Sequence, residues 1–465
     1  MDNKDVEILH SKKSMASYGF GKFVNEFLNM AFGAFVFFYY EAEIGLSVWL
    51  TAFGYIIFAI WNAVNDPFIG YLVDRPFNFT KKWGRRFPWV FIGGVPWIIC
   101  YLLLFTPPAV DPKGEGAWLI FLWLLIMTCL YDTFYSIFNV NFYGLFPDKF
   151  RSENERRDAA GISTMVGTFG VALGAIIPPL FIVFGNKQSY IIQAGVAIIV
   201  CIIALALTIP GCREDQERID CYLEKCEEGL ERGSFFRTFR TSLKHKNFIA
   251  YTLAFLFYYS LVLCMIGSIP YMARYRLERK AGDIILIMAG LLIGSFCSIP
   301  LWTIIARKIK DDRKTIIIAA IAMIIFTGLL IFINDYYILF IGMLIWGTSL
   351  GGFWVMLSPN FANVIDESVI LTSKREEGLY NGINTFVARA SLIIQAVSFA
   401  VVHTLTGFSE GAATQSAEAK WGIQIHFALL PMIFIIITAV IFIKFFDLTP
   451  EKVKSNKEKL VDIGI

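Results

Sequence analysis

The sequence predicts an all-α integral membrane protein with twelve transmembrane helices in two six-helix bundles. Hydrophobic residues make up 56% of the 465 residues and charged residues only 17%. Apolar runs such as Trp118–Leu130, Tyr190–Pro210 and Phe427–Phe446 approach or reach the ~20 residues that cross a bilayer as a helix. The core of a soluble protein does not require apolar runs of this length, so these runs indicate an integral membrane protein.

The apolar spans divide evenly along the chain. They begin near Tyr18, Leu46, Arg86, Ala117, Ala159, Ser189, Asn247, Asp283, Thr315, Tyr336, Gly378 and Gly422. The longest polar loop follows the sixth span, as expected for a carrier built from two related halves. We therefore expect an N-terminal bundle over 1–210, a cytoplasmic middle loop over 211–246, a C-terminal bundle over 247–446 and a cytoplasmic tail over 447–465.

The basic residues predict the orientation. With both termini inside, 32 of the 41 Lys and Arg residues fall in inner loops, 7 fall in outer loops, and Lys22 and Arg389 lie within spans. Cytoplasmic loops of membrane proteins carry such an excess of positive charge. We expect a multi-pass protein of the cell membrane with both termini cytoplasmic. The polar first 17 residues and the long first span give no sign of a cleaved signal peptide.

Several function classes are disfavoured. The net charge of +3 is small and the basic residues lie in short loops, so nucleic acid is not an expected partner. No G-x-x-x-x-G-K-[ST] motif is present to drive pumping by ATP, and no catalytic constellation converges, so an enzyme is not expected. Cys212, Cys221 and Cys226 do not have zinc-site spacing, and we expect neither a metal nor a cofactor.

The second span carries the most informative polar residues. Asn62 and Asp66 lie four positions apart in an apolar run and so share one helix face. An ionised carboxylate inside a hydrophobic span costs roughly 2.5 to 3.5 kcal/mol on insertion scales, so such residues normally have a partner or a ligand. This favours a transport pathway.

A charged turn follows that span. Asp74, Arg75, Arg85 and Arg86 precede the third span, and a similar acidic and basic loop, 307–314, follows the eighth. The functional interpretation is an inner gate that holds the two halves together in one state. The alternative is ordinary positive-inside topology, which explains the arginines but not the acid.

Several segments together resemble one transporter family, the glycoside-pentoside-hexuronide:cation symporters. These are the melibiose carrier-like branch of the major facilitator superfamily. The segments are Tyr18–Gly21, Phe38–Tyr40, Gly45–Ser47, Trp61–Pro67, Trp83–Arg86, Gly352–Val355, Asp366, Arg375 with Glu377, and Asn384–Arg389. The resemblance implies the major facilitator fold and symport of a sugar, glycoside or sugar acid with a cation by alternating access. We expect a monomer in membrane lipid, and we group Asp366, Arg375 and Glu377 with the gate.

The same resemblance assigns a cation site. The family has two aspartates one turn apart on the second helix, and they correspond here to Asn62 and Asp66. A first-helix acid corresponds to Glu26, which we expect near them. Because Asn62 has replaced a carboxylate, we predict proton-linked or sodium-weak coupling, so the coupling ion is H⁺ or Na⁺. Glu26 has a simpler alternative, an ion pair with Lys22 one turn away.

The solute contacts of the family are altered in this chain. The fourth-helix acid and the following tryptophan correspond to Asn139 and Tyr143, and the eleventh-helix lysine corresponds to Arg389. Tyr143 and Trp354 offer aromatic faces to a sugar ring. We predict that Glu26 and Arg389 hold the solute from opposite halves.

The fourth span adds a polar face of its own, made of Asp132, Ser136, Asn139 and Tyr143. Asp132 has no counterpart in the melibiose-type pattern and resembles instead an acid of the vertebrate lysophospholipid symporters. We expect it to line the solute cavity, with a structural acid as the alternative. For His403, in the eleventh span, a proton relay and a hydrogen-bonded packing residue both stay open.

Two alternatives to a sugar symporter stay open. A carrier of a lysolipid-like amphipathic solute fits the same spans and acids. A membrane relative that does not transport explains the spans alone.

The orientation can be tested by accessibility. In a cysteine-free background, Lys113→Cys should react with a membrane-impermeant maleimide added outside intact cells, and Lys310→Cys should react only after permeabilisation. The reverse pattern would overturn the orientation.

Overall fold

The computed structural model describes residues 10–73, 77, 79–216, 219, 244–372 and 377–463. Regular secondary structure in these ranges is helical throughout. The chain forms two compact units: unit 1 is Met1–Glu231 with Glu410–Ala413, and unit 2 is Arg232–Ser409 with Thr414–Ile465.

Every predicted span coincides with a helix. Unit 1 contains α1 Lys12–Phe38, α2 Val48–Val73, α3 Phe87–Leu103, α4 Gly116–Lys149, α5 Glu153–Phe181 and α6 Lys187–Leu207. Unit 2 contains α7 Lys246–Tyr271, α8 Ile284–Ile309, α9 Asp312–Leu330, α10 Tyr336–Thr372, α11 Glu377–Ala388 with Ala390–Thr406, α12 Ala417–Lys444 and the tail helix α13 Pro450–Ile463.

Among the described residues, ten of these helices are long and apolar enough to cross a membrane. The other two predicted spans are α1, which carries Lys22, Asn25 and Glu26, and α3, which has only 17 residues. The all-α membrane fold is confirmed, and ten of the twelve predicted spans meet the length and hydropathy of a membrane-crossing helix.

Three turns of π-helix occur in the spans of the described residues. Tyr39–Ile44 extends α1, Met272–Arg276 extends α7, and Ile425–Leu429 lies inside α12. Because a π turn inserts an extra residue, it re-aims the side chains on either side of it, and such turns frequently mark functional positions.

Glycines allow close helix packing within each unit. A Cβ at Gly170 of α5 would lie 2.4 Å from the Phe23 carbonyl oxygen of α1, and one at Gly294 of α8 would lie 2.0 Å from the Leu344 carbonyl oxygen of α10. Small residues let membrane helices approach this closely. The α1–α5 and α8–α10 pairs are therefore the tightly packed frames of their units.

Charged hydrogen bonds hold α13 against the other helices of unit 2. Asp447 accepts hydrogen bonds from Asn247 Nδ2 over 2.6 Å and Lys452 Nζ over 2.7 Å, and Lys452 also reaches Glu367 at 2.7 Å. Partial burial opposes ionisation of Asp447, but the hydrogen bonds from Lys452 and Asn247 outweigh it and lower its pKa. Asp447 is therefore charged at neutral pH.

Candidate functional site

A buried amide–carboxylate cluster lies between α2 and α4. Asp132 is 1% exposed, and Asn62 donates a hydrogen bond from Nδ2 to Asp132 Oδ1. Asn65, three positions further along α2, donates from its Nδ2 to Asp132 Oδ2 over 3.2 Å. Both carboxylate oxygens of Asp132 are therefore bound by amides of the neighbouring helix.

The second acid of the cluster lies one turn further on. Ser136 of α4 donates from Oγ to Asp66 Oδ1. In this pair and in the pair of Asn62 and Asp132, the partners are 70 positions apart. A constant separation over one turn means that α2 and α4 lie parallel and in register, because residues four apart share a helix face. We call Asn62, Asn65, Asp66, Asp132 and Ser136 the acid cluster.

One oxygen of the acid cluster has no hydrogen-bond donor. Asn62 is 2% exposed, and within the described residues its Oδ1 has no partner. A buried acceptor left without a donor costs about 1–3 kcal/mol, so native structures rarely keep one without a reason. Together with the two carboxylates and the Ser136 hydroxyl, this oxygen forms the kind of all-oxygen donor set that hard cations prefer.

The acid cluster does not have the composition of a transition-metal site. Among the described residues, no group of three or more His, Cys, Asp and Glu side chains is placed to hold a metal ion. The cluster has two carboxylates, and its other polar groups are amides and a hydroxyl.

A separate polar strip lies on α1 and α4 of unit 1. Asn25 is 6% exposed and donates from Nδ2 to the Tyr143 hydroxyl over 3.4 Å. Glu26, beside it, is partly buried and lies within electrostatic reach of Lys22 and Tyr143. Asn139, one turn before Tyr143, has a buried Oδ1 without a partner in the described part of the chain. Asn25, Glu26, Asn139 and Tyr143 form what we call the polar strip.

The described contacts divide the predicted cation-site residues between two places. The described contacts of Asn62 and Asp66 are with α4, whereas those of Glu26 are with Lys22, Asn25 and Tyr143. Asp132, predicted among the solute residues, belongs to the acid cluster instead. Sequence reasoning missed Asn65, although its spacing of three from Asn62 places both amides on one face of α2.

Lys22 has a partner that the sequence did not indicate. Its Nζ donates to Thr164 Oγ1 of α5 over 3.1 Å, and its side chain lies across Gly167. The ammonium group is therefore fixed to α5, one turn away from Glu26.

The remaining predicted solute residues belong to unit 2. Trp354 of α10 is 36% exposed and packs on Phe296 of α8 with 5.6 Å between ring centroids. Arg389 occupies the break between the two segments of α11, and its N–H donates to the Thr385 carbonyl over 3.1 Å. Interrupted helices line the binding sites of many carriers.

The predicted gate residues are only partly described. Asp74, Arg75 and Arg375 lie outside the described residues. Arg86 Nε donates to Asp148 of α4 over 2.9 Å. Glu214, at the start of the middle loop, accepts from the Arg85, Arg86 and Phe87 N–H groups and so caps α3. These contacts tie unit 1 together at one end.

On unit 2, Asp366 is partly buried near the end of α10, and Glu377 is exposed at the start of α11. Asp312 of the equivalent loop accepts from Asn363 Nδ2 of α10 over 3.1 Å. A gate between the halves stays a prediction.

The described residues form long apolar helices, and two of these helices hold the buried Asp132 and the partly buried Asp66 between them. This is the form of a membrane transporter. The chain belongs to the family described as MFS/sugar transport protein, whose model matches residues 17–450. The predicted major facilitator fold is confirmed, and so is the prediction of a transporter rather than an enzyme.

Two relatives are named for different solutes. The sodium-dependent lysophosphatidylcholine symporter 1-A of Danio rerio is 21% identical over 437 residues, covering 86% of this chain and 79% of that protein. The raffinose carrier protein of Pediococcus pentosaceus is 24% identical over 406 residues, covering 83% of this chain and 60% of that longer protein. Among solved structures, that of a mutant of the nucleoside transporter NupG has a TM-score of 0.63 at 12% identity and covers 94% of this chain and all of its own. That likeness shows the fold alone.

The hydrogen bond between Asn65 and Asp132 can be tested by a double-mutant cycle. Asn65→Ala should lower the free energy of unfolding by about 1–2 kcal/mol, because it leaves one buried oxygen of Asp132 without its donor. In an Asp132→Asn background the same change should cost much less, since the two side chains share one interaction. Thermal or denaturant unfolding of the four proteins in one detergent measures the coupling. Equal costs in both backgrounds would show that Asn65 does not hold Asp132.

Proposed function

We propose that the chain is a cation-coupled secondary symporter of the melibiose carrier-like branch that moves a sugar, glycoside or sugar acid across the cell membrane by alternating access. The observation that carries the proposal is the acid cluster, in which the buried Asp132, the partly buried Asp66 and the acceptor-only oxygen of Asn62 lie between two parallel spans. We further propose that both termini are cytoplasmic, which the distribution of basic residues supports, and that the protein is a monomer.

We propose that the acid cluster binds the coupling ion and that this ion is sodium. The sequence favoured proton-linked or sodium-weak coupling because Asn62 had replaced a carboxylate. Asp132 changes that reasoning, because its carboxylate lies against Asn62 and brings the number of acids in the cluster to two. The candidate ligands are Asn62 Oδ1, the Asp66 and Asp132 carboxylates and Ser136 Oγ. The sodium dependence named for the Danio rerio relative supports this assignment.

We propose that the solute contacts the polar strip of unit 1. Asn25, Glu26, Asn139 and Tyr143 offer both donors and acceptors, which suits a solute with many hydroxyl groups. From unit 2 we propose Trp354 as an apolar face for a sugar ring, and Arg389 as the donor to hydroxyls or to the acidic group of a sugar acid. A solute bound by both halves would couple its binding to their movement.

A lysolipid-like solute is the second candidate. The match to lysophosphatidylcholine symporters over 86% of the chain favours it, as does the acid at Asp132. Uptake measured over a panel of labelled glycosides, sugar acids and lysophospholipids shows directly which class of solute is transported. The polar strip suits the hydroxyl groups of a sugar and offers no apolar surface for a long acyl chain.

Sodium binding can be measured without knowing the solute. Sodium chloride should raise the unfolding temperature of the purified protein relative to potassium chloride at equal ionic strength. At sodium concentrations 100-fold above the dissociation constant, the free energy of unfolding should rise by about 2.7 kcal/mol. Asp66→Asn and Asp132→Asn should each abolish the difference, whereas Asp335→Asn, on a loop of unit 2, should keep it. A stabilisation that follows pH and ignores sodium would instead assign a proton to the cluster.

The solute contacts can be tested once a transported solute is found. Glu26→Gln and Arg389→Ala should each lower its binding at least tenfold while expression and unfolding temperature stay near those of wild type. Glu278→Gln is the matched control, because Glu278 is exposed in the loop after α7 and pairs with Lys420 in the first turn of α12. If Glu26→Gln and Arg389→Ala leave affinity unchanged and lower stability, the two residues are structural.

A further inference from the structure

A cavity of about 390 Å³ lies in unit 2, where the tail helix α13 meets the turn between α8 and α9. The turn supplies Lys310 to its lining, and α13 supplies Lys454 and Lys457. All three lysines are exposed. We call this space, with its lining residues, the tail cavity.

One face of α13 points to the tail cavity, and the opposite face is bonded to the rest of unit 2. Pro450, Lys454 and Lys457 all line the cavity, and their spacings of three, four and seven place them on a common helix face. Lys452 lies away from that face and donates to Asp447 over 2.7 Å. The bonds of Lys452 therefore hold α13 in place while its other lysines stay directed at the cavity.

The two acids of the tail cavity are already bonded to protein donors. Asp311 Oδ1 accepts from the Lys314 N–H over 2.9 Å, and its Oδ2 lies 3.3 Å from Lys314 Nζ. Asp312 Oδ2 accepts from Asn363 Nδ2 over 3.1 Å. Both carboxylates therefore have partners outside the set of three lysines.

The lysines, in contrast, are poorly neutralised. Within the described part of the chain, Lys310 and Lys457 have no ion-pair partner, and Lys454 reaches Glu458 only at 4.0 Å. Lys310 also ends α8 in the left-handed conformation, with a φ of +54°, where glycine is the usual residue. Three ammonium groups around one cavity, with both of its acids bonded elsewhere, favour an anionic ligand.

The remaining lining of the tail cavity is apolar and lies next to the membrane spans. Leu448, which is 3% exposed, lines it together with Val453. The spanning helix α12 ends at Lys444, shortly before these residues, and Lys310 connects the spans α8 and α9. Basic residues placed directly after a membrane span bind the head groups of anionic lipids.

We propose that the tail cavity binds the phosphate of an anionic phospholipid, with Lys310, Lys454 and Lys457 as donors and with Leu448 and Val453 against the glycerol and the first acyl carbons. A phospholipid is favoured over a soluble phosphate because the cavity combines cations with an apolar surface at the ends of membrane spans. With both termini inside, as proposed above, the lipid belongs to the cytoplasmic leaflet. The site is separate from the acid cluster and the polar strip, so it requires neither sodium nor solute.

Native mass spectrometry of the purified full-length protein tests the site. One molecule of dioleoyl phosphatidylglycerol should bind at concentrations at which dioleoyl phosphatidylcholine does not. Lys310→Gln, Lys454→Gln and Lys457→Gln should each weaken its binding about fivefold, the contribution of one lysine near an anionic membrane surface. Lys459→Gln is the matched control, because it removes the same charge from an exposed position of α13 that does not line the cavity. Its binding should stay within about twofold of wild type.

Two results would overturn the proposal. Equal weakening by Lys457→Gln and Lys459→Gln would show a general attraction between charges and no site. Inorganic phosphate that displaces phosphatidylglycerol and raises the unfolding temperature as much would assign a soluble phosphate instead of a lipid. Without lipid, all four variants should unfold at the temperature of wild type, because the bonds of Lys452 are unchanged. The measurement needs no transported solute, so its failure is distinct from failure of the proposed symport.

Discussion

The hydrogen bonds that α2 makes to Asp132 are the constraint on which the rest of unit 1 depends. A carboxylate inside a span costs roughly 2.5 to 3.5 kcal/mol when left to itself. Asn62 and Asn65 provide the donors that offset this cost, and Ser136 does the same for Asp66. Because the partners are fixed atom to atom, they also fix the depth of α2 against α4. The polar residues of the candidate site therefore also set the helix packing.

Both units close one end in a similar way, which fits two related halves. In unit 1, Glu214 caps α3, and Arg86 bonds to Asp148 near the end of α4. In unit 2, Asp311 caps α9 by accepting from the Lys314 N–H over 2.9 Å, and Asp312 bonds to Asn363 on α10. Each half thus joins its third helix to its fourth through a charged residue beside a helix cap. The acid cluster, in contrast, has no such equivalent among the described residues, so the halves share a frame and differ in their sites.

The sequence was sufficient for everything that depends on hydrophobic length and on periodicity within one helix. It predicted a helix at each apolar span, and it placed Asn62 with Asp66 and Asp132 with Ser136 on common faces. It could not show which face meets which neighbour, because that depends on the packing of whole helices. Glu26 was therefore expected beside Asp66, although its described contacts are with Tyr143 and Lys22. The π turn that contains His426 leaves no periodic pattern in the sequence, so the contact of His426 with His403 could not be predicted from it.

The acid cluster offers an explanation for Asn62, where the chain departs from the melibiose-type pattern that its sequence resembles. The resemblance places two aspartates on the second helix and no acid at the position of Asp132. This chain has one aspartate on α2 and one on α4, so the number of carboxylates is unchanged although one has moved to the neighbouring helix. With a carboxylate at Asp132, an amide at position 62 fits better than a second acid. An aspartate there would put a third carboxylate against Asp132, whereas the amide donates to Asp132 through Nδ2 and still presents Oδ1 as an acceptor. In the proposed cation site, the number of carboxylates and the oxygen donors therefore match the melibiose-type pattern, although different helices supply them.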